Sequence, residues 1–254
     1  MPLIVQPLSS PSTKAGERTV IMAPIKLIIF DFDGTLFNTH ASIHSTIKST
    51  FTTLLPGYTP TGTEIQASIS SGAGISDTFR SLHPNPAAFT PAVEETWVYT
   101  YRQIYAEHGQ SLISPFPGAE TLLTEIQRRG IPMAIVSNKS VAAVATTLAN
   151  NNLAGYFSED LIIGDKTPGA KRKPDGASFV DVLVPRLSAM GVSVGPRDVL
   201  VVGDTAADID FARNIGGRVC WCRYGYGDQE VCEVRRPDWV VDGLGEVVGV
   251  LDQV

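Results

Sequence analysis

Residues 27–38 read LIIFDFDGTLFN. Leu27, Ile28, Ile29 and Phe30 form an uninterrupted apolar run, the pattern of a strand covered on both faces. Two carboxylates, Asp31 and Asp33, follow at once, with Gly34 and Thr35 behind them. Acidic side chains are seldom buried unless paired or bound to a metal. Either this strand ends in water, then, or its end is a site. Further apolar runs lie at 131–138 (IPMAIVSN), 160–165 (DLIIGD), 198–204 (DVLVVGD), 218–224 (RVCWCRY) and 238–242 (DWVVD). Most are continuous rather than alternating, as in a parallel sheet. Helical patterns fall between them at 118–130, 140–153 and 175–191. In the last of these, Pro185 predicts a kink or break within the repeat of Phe179, Leu183 and Leu187. Strand–helix alternation gives an α/β, doubly wound, mostly parallel sheet.

One connection is too long for that plan. Asp33 and Ser137 are roughly 100 residues apart, whereas a βαβ unit needs about 30. Some ~70 residues must therefore form an insert. Within it Ile43, Ile47, Phe51 and Leu54 step at helical spacing, as do Val93, Trp97 and Tyr101 with Ile104 or Tyr105. The division expected is a flexible tail over 1–22, with Met22 as an alternative start, a core domain from 23–37 and 115–254, and a small helical cap over 38–114. Ligands of open α/β sheets bind beyond the carboxyl ends of the strands, so this cap would sit over the site as a lid. The SSGAGIS loop (70–76) would reach down over it. Arg80 and Arg102 are candidates for gripping a substrate anion. Trp97, Tyr101 and Tyr105 read as cap core before substrate platform, and His40 and His44 as surface or cleft-lining imidazoles before a metal pair.

The chain of 254 residues is 43% hydrophobic and 18% charged, enough to build a full core. A net charge of -6 argues against nucleic acid and acidic membranes as partners. No apolar run reaches the ~18 residues of a membrane span, and the first 22 residues lack the charged start and long apolar block of a secretory signal. A cytoplasmic protein, monomeric or homodimeric, is expected. Cys220, Cys222 and Cys232 make an odd count and read as ordinary buried thiols rather than disulfides or metal ligands.

What the strands end with decides the opening question. The first ends in Asp31 and Asp33-Gly34-Thr35, the second in Ser137-Asn138, and the fourth in Gly203-Asp204-Thr205 with Asp208 beyond. After the third come Lys166, Lys171, Arg172 and Lys173. Each alone has a plain structural reading: a solvent-facing turn, a helix N-cap near Ser140, an acidic helix start, a solvated basic loop. Parallel strands bring all of them to one edge, and only the joint pattern outweighs those readings. Clustered carboxylates need a cation, and oxygen ligands without His or Cys suit Mg²⁺. One Asp can attack phosphorus, a second can move the proton, and a lysine with a hydroxyl can hold phosphoryl oxygens. The chemistry read from the residues is metal-assisted phosphoryl transfer.

DFDGTLFN, VSNK, KRKPDG and GDTAADIDFARNIGG resemble the four ordered motifs of the haloacid dehalogenase superfamily, and more closely its phosphoglycolate phosphatase-like group with a helical cap. The resemblance covers about residues 25–252. It implies Asp31 as nucleophile and metal ligand, and Asp33 as general acid and base with its carbonyl on the metal. It further implies Ser137, Asn138 and the backbone around Phe32, Gly34 and Thr35 as phosphate binders. Lys173 would contact phosphate and Asp31, with Lys171 as its rival. Asp204 and Asp208 would complete the Mg²⁺ site. The second Asp, at 33, sets the chain apart from the dehalogenases proper. Asn38 stands where many relatives have Asp, and Gly176 where a second proline is usual. The expected activity is hydrolysis of a small phosphorylated metabolite, phosphoglycolate first. The alternatives are a sugar phosphomutase, which His44 keeps open, and a noncatalytic binding protein. Asp210 and Arg213 read as structural.

Overall fold

Alternate side chains of a strand face opposite ways, and here both directions lead into core. The computed structural model describes residues 23–254; the tail expected over 1–22, with Met22, lies outside them. Strand β1 is Leu27–Phe30, and β2 (Phe37–Asn38) pairs antiparallel with β3 (Ser114–Pro115) at the stem of the insert. Then follow β4 (Met133–Ser140), β5 (Ile162–Asp165), β6 (Val199–Gly203), β7 (Arg218–Cys222) and β8 (Trp239–Val241). Six of these form one parallel sheet in the order β5-β4-β1-β6-β7-β8. In register, Ile29 of β1 lies between Ala134 and Val201.

Leu27, Ile29, Val199, Val201, Val219 and Trp221 pack on one face; Ile28, Phe30, Leu200, Val202, Cys220 and Cys222 pack on the other. That double covering is why the strands read as unbroken apolar runs. It also makes both thiols of the CWC stretch ordinary core residues. The first face is covered by α7 (Val184–Ala189) and α8 (Ala206–Ile215), the second by α5 (Ala119–Arg128) and α6 (Val141–Asn150). Ahead of α7, residues Ser178–Leu183 form a wider π turn. Pro185 lacks the N–H that a regular helix would need there, and the broken element is the irregularity its position predicts. Helix α6 also stops three residues earlier than its apolar pattern.

The insert carries α1 (His40–Leu54), α2 (Gly62–Ser70), α3 (Ile75–Leu82) and α4 (Pro91–Ile104). Thr61 and Glu64 cap α2 reciprocally. Phe51 and Phe79 hold their rings 4.7 and 5.2 Å from that of Trp97, so Trp97 belongs to the cap's own core, as its place in the helical stripe suggests. Helix α4 gives way to a π-helical turn over Tyr105–Gly109. Among the described residues no helix is long and apolar enough to cross a membrane.

Candidate active site

The chain passes from β1 out to β4 and β5, then returns across the sheet to β6. That reversal opens a crevice at the carboxyl ends of β1, β4 and β6. Asp31 follows β1, Asp204 follows β6, and Asp208 sits in the first turn of α8. One carboxylate oxygen from each lies within 4.8 Å of the others, and all three side chains are buried. Lys173 places its Nζ 2.5 Å from Oδ1 of Asp31 and 2.5 Å from Oδ1 of Asp208. Thr205 donates its amide and hydroxyl to Asp208 Oδ2, at 2.9 and 2.7 Å. Thr35 Oγ1 donates to Asp204 Oδ1 at 3.1 Å, and the Tyr226 amide donates to Asp204 Oδ2 at 2.7 Å.

Burial pushes Asp31 up to about 7, against the pull of Lys173 and with a further push from Asp208. Burial likewise holds Asp204 well above the ordinary carboxylate range, reinforced by Asp31 and Asp208. For Lys173, burial works to strip the proton, yet the carboxylates of Asp208 and Asp31 outweigh it and keep the ammonium charged. Three buried carboxylates against one lysine is an unbalanced set. Oxygen donors alone, this close together, fit a hard divalent cation. Asp31, Asp204 and Asp208 would hold Mg²⁺.

Above this floor lies a cavity of about 330 Å³ whose walls include Asp31, Asp33, Ser137, Asn138 and Lys173. Gly34 and Thr35 do not reach it. Gly34 serves by being small, at φ 85°: a Cβ there would meet Asp204 Oδ2 at 2.2 Å. Its amide is already bonded to the Phe37 carbonyl at 2.9 Å, which corrects its expected part in a phosphate cradle. Thr35 is fully buried and holds Asp204 instead. Arg80 is a second correction. Its guanidinium pairs with Glu94 at 2.6 Å within the cap, away from the cavity. Arg80→Ala should leave kcat/KM unchanged and cost below about 1 kcal/mol of stability, as exposed pairs do; a substrate titration with a melting curve checks both. Lys171 is exposed and paired with Asp175 at 3.4 Å, so Lys173 is the lysine at the carboxylates. His40 contacts Gln66 and stacks on His44, and neither ring lines the cavity.

Asn138 lines the cavity but spends its amide on structure. Its Nδ2 donates to the Gly72 carbonyl of the cap loop at 2.9 Å, and its Oδ1 accepts from the Lys173 amide at 2.9 Å. Arg102 reaches the cavity, where its guanidinium meets Asp165 Oδ2 at 2.7 Å. Arg172 joins Asp165, at 3.5 Å, to Asp77 of the cap, at 2.9 Å.

Sequence reasoning left several contributors unassigned. Lys139, the last letter of VSNK, is partly buried, with its side chain 9% exposed; its Nζ lies 2.9 Å from Asp33 Oδ1 and 4.4 Å from the Tyr105 ring centre. Burial opposes its charge, but Asp33 and the two tyrosines Tyr105 and Tyr101 more than restore it. Tyr224 and Tyr226 stand in the loop after β7, on the same sheet edge, where a YGYG stretch was the available signal. The Tyr226 hydroxyl accepts from the amides of Thr39 and His40, at 2.6 and 2.9 Å, at the start of α1.

Comparison with known proteins places the chain in a family. A phosphoglycolate phosphatase of Vibrio cholerae is 29% identical over 235 residues, spanning 91% of this chain and 98% of that protein. One from Thiobacillus denitrificans is 30% identical over 234 residues, spanning 88% and 94%. A haloacid dehalogenase-like family hydrolase from Streptococcus pneumoniae has the same fold, with a TM-score of 0.72 at 25% identity over 89% of this chain and 98% of its own. The sequence profile of the haloacid dehalogenase-like hydrolases matches residues 28–222, from β1 through β7 with the whole insert between them. By that match the chain belongs to the haloacid dehalogenase-like hydrolases.

Proposed function

We propose that this chain is a Mg²⁺-dependent phosphatase of small phosphate monoesters, working in the cytoplasm. One observation carries the reading: Asp31, Asp204, Asp208 and Lys173 converge, buried, at the floor of a cavity that Asp33 also lines. Bound Mg²⁺ would supply electrostatic stabilisation of the phosphoryl oxygens. An oxygen of Asp31 attacks phosphorus, and the bond to the ester oxygen breaks. Asp33 gives its proton to the departing alkoxide. It then takes a proton from water, whose oxygen attacks the aspartyl-phosphate and frees Asp31 and inorganic phosphate. Lys173 holds one Asp31 oxygen and offers positive charge to the phosphoryl group. Ser137 lies on the same wall and provides a hydroxyl. Lys139 orients Asp33, and the cap keeps bulk water from the intermediate.

The intact set of Asp31, Asp33, Lys173 and Asp204 supports an enzyme over a noncatalytic binding protein. Relatives bearing the name phosphoglycolate phosphatase make that ester the first to assay. Chelation should abolish phosphate release from a panel of phosphomonoesters, and Mg²⁺ should restore it. The melting temperature should rise with Mg²⁺ as well, because a cation that binds only the folded state stabilises it by mass action. Release undiminished in chelator would refute the metal assignment.

A further inference from the structure

The cavity has more wall than a phosphate monoester of glycolate would use. About 330 Å³ falls in the range of pockets that enclose drug-sized ligands. Its core side supplies the carboxylates and lysines. Its cap side is largely apolar and aromatic, with Ile43 and Ile47 from α1, Ile69 from α2, Ile75 from α3, and Tyr101 and Tyr105 at the end of α4, interrupted by Ser68, Thr78, Arg102 and Gln110. Tyr101 and Tyr105 stack with ring centres 5.8 Å apart, so both aromatic side chains stand together on this wall.

The charges at the cavity are already committed. Among the described residues that line it, three are cations. Lys173 is held by Asp31 and Asp208, Lys139 by Asp33 at 2.9 Å, and Arg102 by Asp165 at 2.7 Å. A leaving group that carried its own carboxylate would have to lose its water here with no uncommitted cation to receive it, and an unpaired buried charge is strongly disfavoured. An apolar leaving group would replace water against the isoleucines and tyrosines and gain from the area buried.

Taking the phosphatase reading as its basis, we infer that the preferred substrate is a phosphomonoester of a bulky, uncharged alcohol with an aromatic or branched apolar body, seated against the cap wall. A carboxylate-bearing ester such as phosphoglycolate would be a poorer substrate. Specificity would lie in Ile43, Ile47, Ile69, Ile75, Tyr101 and Tyr105, and in the neutralisation of Arg102 by Asp165.

The test uses the full chain with saturating Mg²⁺ and three esters: benzyl phosphate, ethyl phosphate and 2-phosphoglycolate. All three leave as alkyl alcohols, so differences report on binding the leaving group rather than on its acidity. Benzyl phosphate is expected to exceed each of the others in kcat/KM by about tenfold or more, the return on burying one aromatic ring. Asp165→Asn, which frees Arg102, should narrow the ratio of benzyl phosphate to 2-phosphoglycolate by raising turnover of the latter. Equal rates, or 2-phosphoglycolate as the best substrate of the wild-type chain, would overturn the inference and leave the phosphatase reading standing. Phosphate release from none of the three would overturn both.

Discussion

Asp31→Asn should lower phosphate release by about 10⁴-fold or more, the scale of losing a nucleophile that works with its partners as a unit, while making the metal-free fold more stable. The second half follows from the floor of the site. Asp31, Asp204 and Asp208 crowd around one lysine, and an amide at position 31 removes one member of the repelling trio. Each kcal/mol of repulsion relieved should raise the melting temperature by about 2–4 °C in a chain of this size. The sign with pH is also fixed. Burial holds the folded Asp31 carboxyl near a pKa of about 7, whereas an unfolded Asp titrates near about 3.9. Between those values the folded state binds the extra proton, so this group's contribution to stability falls as pH rises. Asparagine has no such slope. In chelator, then, the advantage of Asp31→Asn over wild type should widen from about pH 4 to about pH 7 and then level off. Calorimetry across that range checks it, and a variant that melts below wild type at pH 8 would contradict the repulsion.

Lys173→Met should fail in the opposite way, losing both activity and stability. The lysine is 8% exposed and bonds two buried carboxylates at once. Taking one partner out of a buried ion pair costs about 3–5 kcal/mol, or roughly 6–20 °C in melting temperature here. The carboxylates left behind escape part of that cost by protonating, so the deficit should be smaller at pH 5 than at pH 8. Added Mg²⁺ should recover some of the stability but not the rate, because the charge that Lys173 presents to the phosphoryl group is lost. We expect kcat/KM to fall by about 10²–10³-fold, as on losing one preorganised donor in a transition state. A Lys173→Met protein that melts like wild type in chelator would show that the carboxylates do not depend on this lysine.

The parts of the molecule legible in its sequence were those set by local pattern. Strands β1, β4, β6 and β7 announce themselves because both their faces are buried, and their carboxyl ends then place Asp31, Asp33, Ser137, Asn138 and Asp204 on one edge. Helical spacing likewise marks the cap and puts Trp97 in its core. Spacing could not choose between Lys171 and Lys173, two residues apart on an irregular loop, because that choice depends on which one turns toward Asp31. Pairing across long separations was beyond reach too. Lys139 meets Asp33 across 106 positions, Asn138 meets Gly72 across 66, and the hydroxyl of Tyr226 meets Thr39 across 187. Asn138 shows the cost of this most clearly. Its residue type suits a phosphate ligand, but the tertiary fold recruits its amide to tie the cap loop to the lysine loop. Arg80 was misplaced for a similar reason, since Glu94 lies on the next helix of the cap and takes its charge.

Tyr226 grips two things at once. Its backbone amide holds Asp204, and its hydroxyl holds the first residues of α1, where the chain enters the cap. Occupancy of a cation at Asp204 and the placement of α1 would thereby be linked through one residue, and such linkage is reciprocal. Whatever preference a bound cation confers on this placement of α1, the placement returns as an equal gain in cation affinity. Affinity for a cation held there would then depend on the placement of α1 as well as on three aspartates.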